Sequence, residues 1–138
     1  MGYGRLEAEG HARKAICAYR AGAWEQVIAE IDHADLSIYP LDPTSIPLSW
    51  YRGMANFSLG HRAEALEDFK RACLAHPYHV HSINNLGTCY ALKGDSENAI
   101  KAYRKALPLP QGFQDALENL NLLLARQSTG QELADIYD

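Results

Sequence analysis

The segments LGHRAEALEDFKRACLAHP (residues 59–77) and KGDSENAIKAYRKALPLPQ (residues 93–111) decide the fold, because they carry one pattern twice. Gly60 aligns with Gly94, Ala65 with Ala99, Phe69 with Tyr103 and Ala72 with Ala106. Upstream, Gly53 aligns with Gly87, and every pair is 34 residues apart. A fixed period of this length marks a chain built from stacked supersecondary units. Leu86, Gly87 and Tyr90 fall at i, i+1 and i+4, on one face of a helix. Glycine or alanine at a helix crossing lets two backbones approach, and a large aromatic fills the space beside it. Gly87 and Ala99 are therefore the small contacts, and Tyr90 and Tyr103 the fillers. Gly94 stops one helix and Asp95 caps the next. The unit is helix, tight turn, helix.

Working outward, the stretch CAYRAGAWEQVIAEI (17–31) repeats the pattern more loosely, with Ala15, Gly22, Val27 and Ile31 in the matching places. Gly22 precedes Gly60 by 38 residues, so extra chain must be absorbed, and LSIYPLDPTSIP (36–47) is where it goes. Pro40, Pro43 and Pro47 exclude a regular helix there. Toward the C-terminus, QDALENLNLLLARQ (114–127) reads as one more amphipathic helix, with Leu117, Leu120, Leu123 and Leu124 at helical spacing. In the tail STGQELADIYD, Ser128 and Gln131 stand in capping-box spacing, which allows a short helix or a frayed end. The helices predicted are 5–21, 24–36, 46–59, 61–75, 79–93, 95–107 and 113–127.

The residues that carry the period resemble those of the tetratricopeptide repeat (TPR) family. The third unit has Ile83-x2-Leu86-Gly87-x2-Tyr90 followed by Ala99-x3-Tyr103-x2-Ala106, against the family pattern W-x2-L-G-x2-Y…A-x3-F. The second unit keeps Gly53, Ala65, Phe69, Ala72 and Pro77. It departs at Ser49, Arg52 and Asn56, where Trp, Leu and Tyr are expected. The resemblance implies an all-α, right-handed solenoid of about seven helices in a single domain over residues 1–138. Its repeats fall at roughly 5–36, 46–79 and 80–113, with a capping helix at 114–127 and a tail at 128–138.

In proteins of this kind the first helix of each unit lines a concave groove that holds a peptide. By helical geometry the groove residues here are Trp50, Tyr51, Met54 and Phe57 in the second unit and His81, Asn85, Thr88 and Leu92 in the third. The capping helix adds Glu118, Asn119, Leu122 and Arg126, and the first unit Arg13, Ile16, Tyr19 and Arg20. Asn85 and Asn119 are 34 residues apart. An amide donates and accepts at once, so a row of them can hold a peptide backbone without reading its sequence. The plainer reading leaves these amides solvated or bonded to neighbouring helices, and part of the aromatic set packed between units. Any aromatic left exposed would serve as an anchor. TPR domains that grip acidic chaperone tails use Lys, Asn and Arg at set places; Ala12, Ile16, Tyr51, His81 and Asn85 occupy those places here. The missing cations argue against a chaperone tail as ligand.

Composition narrows the remaining classes. The 138 residues carry a net charge of −4 with a pI near 5.8, which provides no basic field for nucleic acid. No run of residues suits a membrane span. The start MGYGRLEAEG is not expected to act as a secretory or myristoylation signal. Cys17, Cys73 and Cys89 are odd in number and outside C-x-x-C spacing, so they are expected to be small buried packers rather than disulfide or zinc ligands. His76, His79 and His81 cluster in HPYHVH but lack an acid or cysteine to complete a metal set, and read as turn and surface histidines. Glu64, Glu67 and Asp68 read as a solvated helix face. No phosphate loop, G-x-S-x-G or H-E-x-x-H is present. The expectation is a non-enzymatic module without cofactor or metal, binding a protein or peptide. The alternative is an assembly or accessory domain of a larger, cell-envelope-type protein, with homo-oligomerisation as one form of it. Localisation stays open: cytoplasmic for a whole protein, periplasmic for a piece of an envelope protein.

Overall fold

The computed structural model describes the backbone of residues 3–137 and the side chains of residues 6–128. Among the described residues there are seven helices and no strand: α1 (Tyr3–Ala21), α2 (Trp24–His33), α3 (Leu48–Ser58), α4 (Arg62–Ala75), α5 (Val80–Lys93), α6 (Ser96–Ala106) and α7 (Phe113–Tyr137). The first six lie within three residues of their predicted ends. The seventh continues past 127 to Tyr137, since no proline follows Pro110 to stop it. Gln131, the partner in the expected capping box, lies outside the residues whose side chains are described. Helix α2 ends early because Asp35 takes the backbone N–H of Ser37 at 3.0 Å and its hydroxyl at 2.5 Å, a local turn that competes with the helix.

Each helix pair is joined by the same turn. Gly22, Gly60 and Gly94 have φ of 70°, 82° and 89°, a left-handed conformation that a side chain would strain. The residue after each glycine donates its N–H five residues back: Ala23 to Ala18 at 2.9 Å, His61 to Asn56 at 2.8 Å and Asp95 to Tyr90 at 2.9 Å. These bonds satisfy carbonyls the helix end would otherwise leave open. Asp95 also caps α6, accepting the Asn98 N–H at 3.2 Å. That bond and the one from the Asn98 side-chain amide hold its carboxyl below the usual range.

Contacts divide the chain into two compact units, Met1–Ser82 and Ile83–Asp138. In the first, Ala12, Ala15, Ala18, Val27, Ile31, Leu48, Tyr51 and Ala55 form the core. In the second, Ala99, Tyr103, Leu120 and Leu123 do. Small residues on one helix receive large ones from the next, as the repeat pattern requires.

The polar departures of the second repeat turn out to be connected. The Arg52 guanidinium donates from Nε to Asp68 at 2.8 Å and from Nη1 to Asp32 at 2.9 Å. Asn56 donates to the other Asp68 oxygen at 2.9 Å. Asp68 is only 5% exposed, so it does not belong to the solvated face expected of it; Glu64 and Glu67 do lie exposed. The i+4 spacing that groups Asp68 with Glu64 says nothing about Arg52, which reaches it from another helix. The cysteines are likewise mixed: Cys89 is buried, Cys73 half-buried and Cys17 exposed, because Cys17 falls on the α1 face opposite the alanines of the core.

Candidate functional site

In the first unit, α1, α3 and the segment leading into α5 bring a continuous set of rings together. Trp50 is its centre, with ring centroids 5.5 Å from Tyr19, 5.3 Å from Tyr51, 5.7 Å from His79 and 6.2 Å from His81. Tyr19 also meets Trp24 at 5.8 Å and Tyr51 at 5.3 Å. Most of these pairs are edge-on or tilted, the arrangement that ring quadrupoles favour. The cluster has an inner and an outer side. Tyr51 is 5% exposed, Tyr19 and Trp50 are half-buried, and His81 is exposed. Three sequence-predicted site residues, Trp50, Tyr51 and His81, thus meet. His79, read from sequence as a turn histidine, is part of the same cluster; HPYHVH carried that signal in its density.

Tyr51 supports this surface from behind. Its hydroxyl donates to Asp42 Oδ2 at 2.7 Å. The other Asp42 oxygen accepts the Thr44 N–H at 2.8 Å, the Thr44 hydroxyl at 2.7 Å and the Ile46 N–H at 2.9 Å. Burial raises the Asp42 pKa, but these four donors outweigh it and leave the carboxyl below its ordinary range. Burial and the facing carboxylate together push the Tyr51 phenol well above its ordinary value. The bridge between Leu41 and Pro47 and the Leu48 N–H to Pro40 bond at 2.9 Å close the same knot. The proline-rich loop is therefore a fixed wall beside α1 and α3.

The histidines are ordered by local bonds. His79 Nδ1 lies 2.6 Å from the Ser82 hydroxyl, and His76 Nδ1 accepts the Tyr78 N–H at 3.2 Å. Burial, then the neighbouring His81 and His76, bring the His79 pKa down to about 4. Among the described residues no group of three His, Cys, Asp or Glu is arranged to hold a metal ion, and no helix is long and apolar enough to cross a membrane.

Of the other candidates, Met54 is half-buried on α3. In the second unit, Asn85 and Asn119 are half-buried and Arg126 is exposed. The Thr88 hydroxyl is already engaged, donating to the Asn84 carbonyl at 3.1 Å and lying 3.0 Å from the Tyr103 hydroxyl. Asn84, outside the predicted set, is the buried amide of the pair: it is 7% exposed, and neither Nδ2 nor Oδ1 has a hydrogen-bond partner among the described residues.

Residues 80–109 match the tetratricopeptide repeat family model. No functionally characterised protein matches the chain in sequence. Among solved structures, the crystal structure of MamA superposes with a TM-score of 0.76 at 21% identity, over 93% of this chain and 72% of that one. The Arabidopsis OM64 TPR domain gives 0.74 at 20% identity, over 89% of this chain and 98% of its own. The first TPR of Spaghetti (RPAP3), bound to the HSP90 peptide SRMEEVD, gives 0.75 at 20% identity, over 89% and 94%. At these identities the likeness establishes a helical repeat fold. Together with the glycine turns and the small-to-large helix crossings, it gives this chain a helical fold like that of tetratricopeptide repeat proteins, within which residues 80–109 match the repeat itself.

Proposed function

We propose that the protein is an adaptor that holds a segment of a partner protein against the first helices of its repeats. Stacked repeats of this kind present extended binding surfaces, and a neighbour in fold is bound to a peptide. The observation that carries the reading is the ring cluster around Trp50: Tyr19 and Trp50 pack on the core yet stay half-exposed, and His81 beside them is exposed. Aromatic side chains dominate binding hot spots. In this reading Trp50, His81, Tyr19 and Met54 make contact, and Tyr51 holds the surface in place. Asn85, Asn119 and Arg126 are the contacts of the second unit, with Thr88 positioned by Tyr103. We take residues 1–138 as one TPR domain with the repeats and capping helix given by the sequence.

We do not carry the HSP90-peptide neighbour's ligand over to this chain, since Ala12, Ile16, Tyr51 and His81 supply no Lys or Arg at the places where acidic-tail-binding repeat domains are expected to have them. The test is affinity capture by wild type and by Trp50→Ala/Asn85→Ala, after both are shown to be equally helical and equally stable. A partner retained by wild type and lost by the variant supports the reading; equal capture overturns it.

A second reading, self-assembly, is favoured by large apolar side chains exposed along α7, Leu122 at 60% and also Phe113 and Leu124. Sedimentation of wild type and Leu122→Glu decides it: a concentration-dependent oligomer lost in the variant establishes assembly, and a monomer throughout removes it.

A further inference from the structure

Between α1 and the proline-rich loop lies a cleft of about 210 Å³, lined by Glu9, Ala12, Arg13 and Ile16 from the helix and Tyr39 and Pro43 from the loop. Its volume is below the roughly 300–1,000 Å³ typical of small-molecule sites, so it suits one side chain rather than a cofactor. Its floor is apolar. Its far wall is rigid for a stated reason: Asp42, between Tyr39 and Pro43, accepts four hydrogen bonds that fix the loop. Such a wall does not have to be ordered when a ligand arrives, which removes one of the costs of binding.

The cleft is also polarised. Arg13 is exposed and forms no ion pair among the described residues. Glu9 lies one helical turn before Arg13 on the same helix. Arg20 lies further along α1, close enough for its charge to lower the Tyr51 pKa. An anion is therefore favoured beside Arg13.

We infer that this cleft is an anchor pocket for a bulky apolar side chain of the partner that carries a carboxylate next to it, with the carboxylate directed to Arg13. The inference rests on the adaptor reading and names the chemistry of one partner residue. It differs from that reading in its test, which needs no partner protein and does not involve Trp50.

The probes are N-acetyl-leucine and N-acetyl-leucinamide, followed by NMR on wild type, Arg13→Gln and Ile16→Trp. Both probes are expected to shift the Ile16 methyl and Tyr39 ring signals in wild type. The acid should bind about two- to fivefold more tightly than the amide, the range an exposed ion pair supports. Arg13→Gln should abolish that preference while keeping amide binding. Ile16→Trp should fill the cleft and block both probes, with circular dichroism confirming an unchanged fold. Absence of shifts at Ile16 and Tyr39 overturns the pocket. Equal binding of the two probes to wild type, or a preference that survives Arg13→Gln, overturns the carboxylate. Loss of partner capture in Trp50→Ala/Asn85→Ala bears on the adaptor reading alone.

Discussion

The ring of Phe69 occupies the space that a side chain on Gly53 would need. A Cβ on that glycine would lie 2.6 Å from Phe69 Cε1 and 2.8 Å from Cδ1. One period later Gly87 and Tyr103 reproduce the relationship at 2.6 Å and 2.8 Å. In the first repeat Ala15 and Ile31, both fully buried, stand in the same places. Glycine is present where the partner is a flat ring, and alanine where it is a branched aliphatic.

This sets a prediction. Gly53→Ala and Gly87→Ala should each destabilise the fold by about 1–3 kcal/mol through overpacking, even though alanine favours a helix by roughly 1 kcal/mol over glycine. Phe69 is 1% exposed and has nowhere to turn. Gly53→Ala/Phe69→Ile copies the first-repeat pair, so the alanine should cost less in that background than in wild type. Urea unfolding of the four proteins in this cycle measures the coupling. A Gly53→Ala midpoint equal to wild type would remove the packing argument.

The same pairs explain what the sequence could show. A small residue and a large one recurring at one period report helix contacts directly, so the helices and the third-unit core were legible. The network of Asp68 was not, because its burial is decided by Arg52 and Asn56 on a different helix. Those two positions did stand out as departures from the family pattern. Two polar departures one helical turn apart were a signal that a buried acid would answer them. Tyr51 was read as a groove residue, and its 5% exposure was not legible. What covers it is Asp42, in a loop whose path no period constrains. The Asp-Pro-Thr-Ser run did carry turn chemistry, but turn residues do not say which helix the turn will lie on.

The Arg52 network predicts an asymmetric response. Arg52→Leu leaves the Asp68 carboxylate buried with the Asn56 amide still donating to it, and breaking a buried pair from one side costs about 3–5 kcal/mol. Burial already raises the Asp68 pKa against the pull of Arg52 and Asn56. For an acid whose folded pKa is raised, the charged form penalises the fold, and the penalty is relieved as pH falls through the folded pKa. The cost of Arg52→Leu should therefore shrink between about pH 7 and the carboxylate range near 4. Urea unfolding of wild type and variant across that range tests it. A cost independent of pH would mean that Asp68 is not the group left stranded.

Asp42 should behave in the opposite sense. Its folded pKa lies below the ordinary value because four donors outweigh burial. Its contribution to stability is therefore full above about 3.9, the unfolded value, and is lost as pH falls through the folded pKa. Tyr51→Phe removes one charge-assisted hydrogen bond, worth about 1.5–3 kcal/mol, and moves the acid loss to higher pH. Asp42→Asn should remove that part of the acid transition. Thermal unfolding between neutral pH and pH of about 3 distinguishes the variants, and an unchanged Tyr51→Phe profile would show that the loop is held without this bond.

His79 provides the last prediction, because it is the group in the ring cluster whose proton can be followed between neutral and mildly acid pH. Its ring packs against Trp50, His81 and His76, its Nδ1 faces Ser82, and Asp42 is near enough to pull its pKa upward. Burial and the two imidazoles outweigh Asp42 and bring the pKa down to about 4. A histidine with a depressed folded pKa stabilises the fold as the neutral ring. That contribution is whole above about pH 6.5 and is lost as pH falls from there toward about 4. The NMR titration of the His79 ring should show no protonation near pH 6.5, and Trp50 fluorescence should change only at the lower pH, as a charge enters the cluster beside it. His79→Phe keeps the ring contact with Trp50 and removes the proton. It should flatten the stability profile between about pH 6.5 and 4 while leaving the neutral-pH ring cluster intact. A His79 midpoint near 6.5 would place its ring in water and separate it from Trp50.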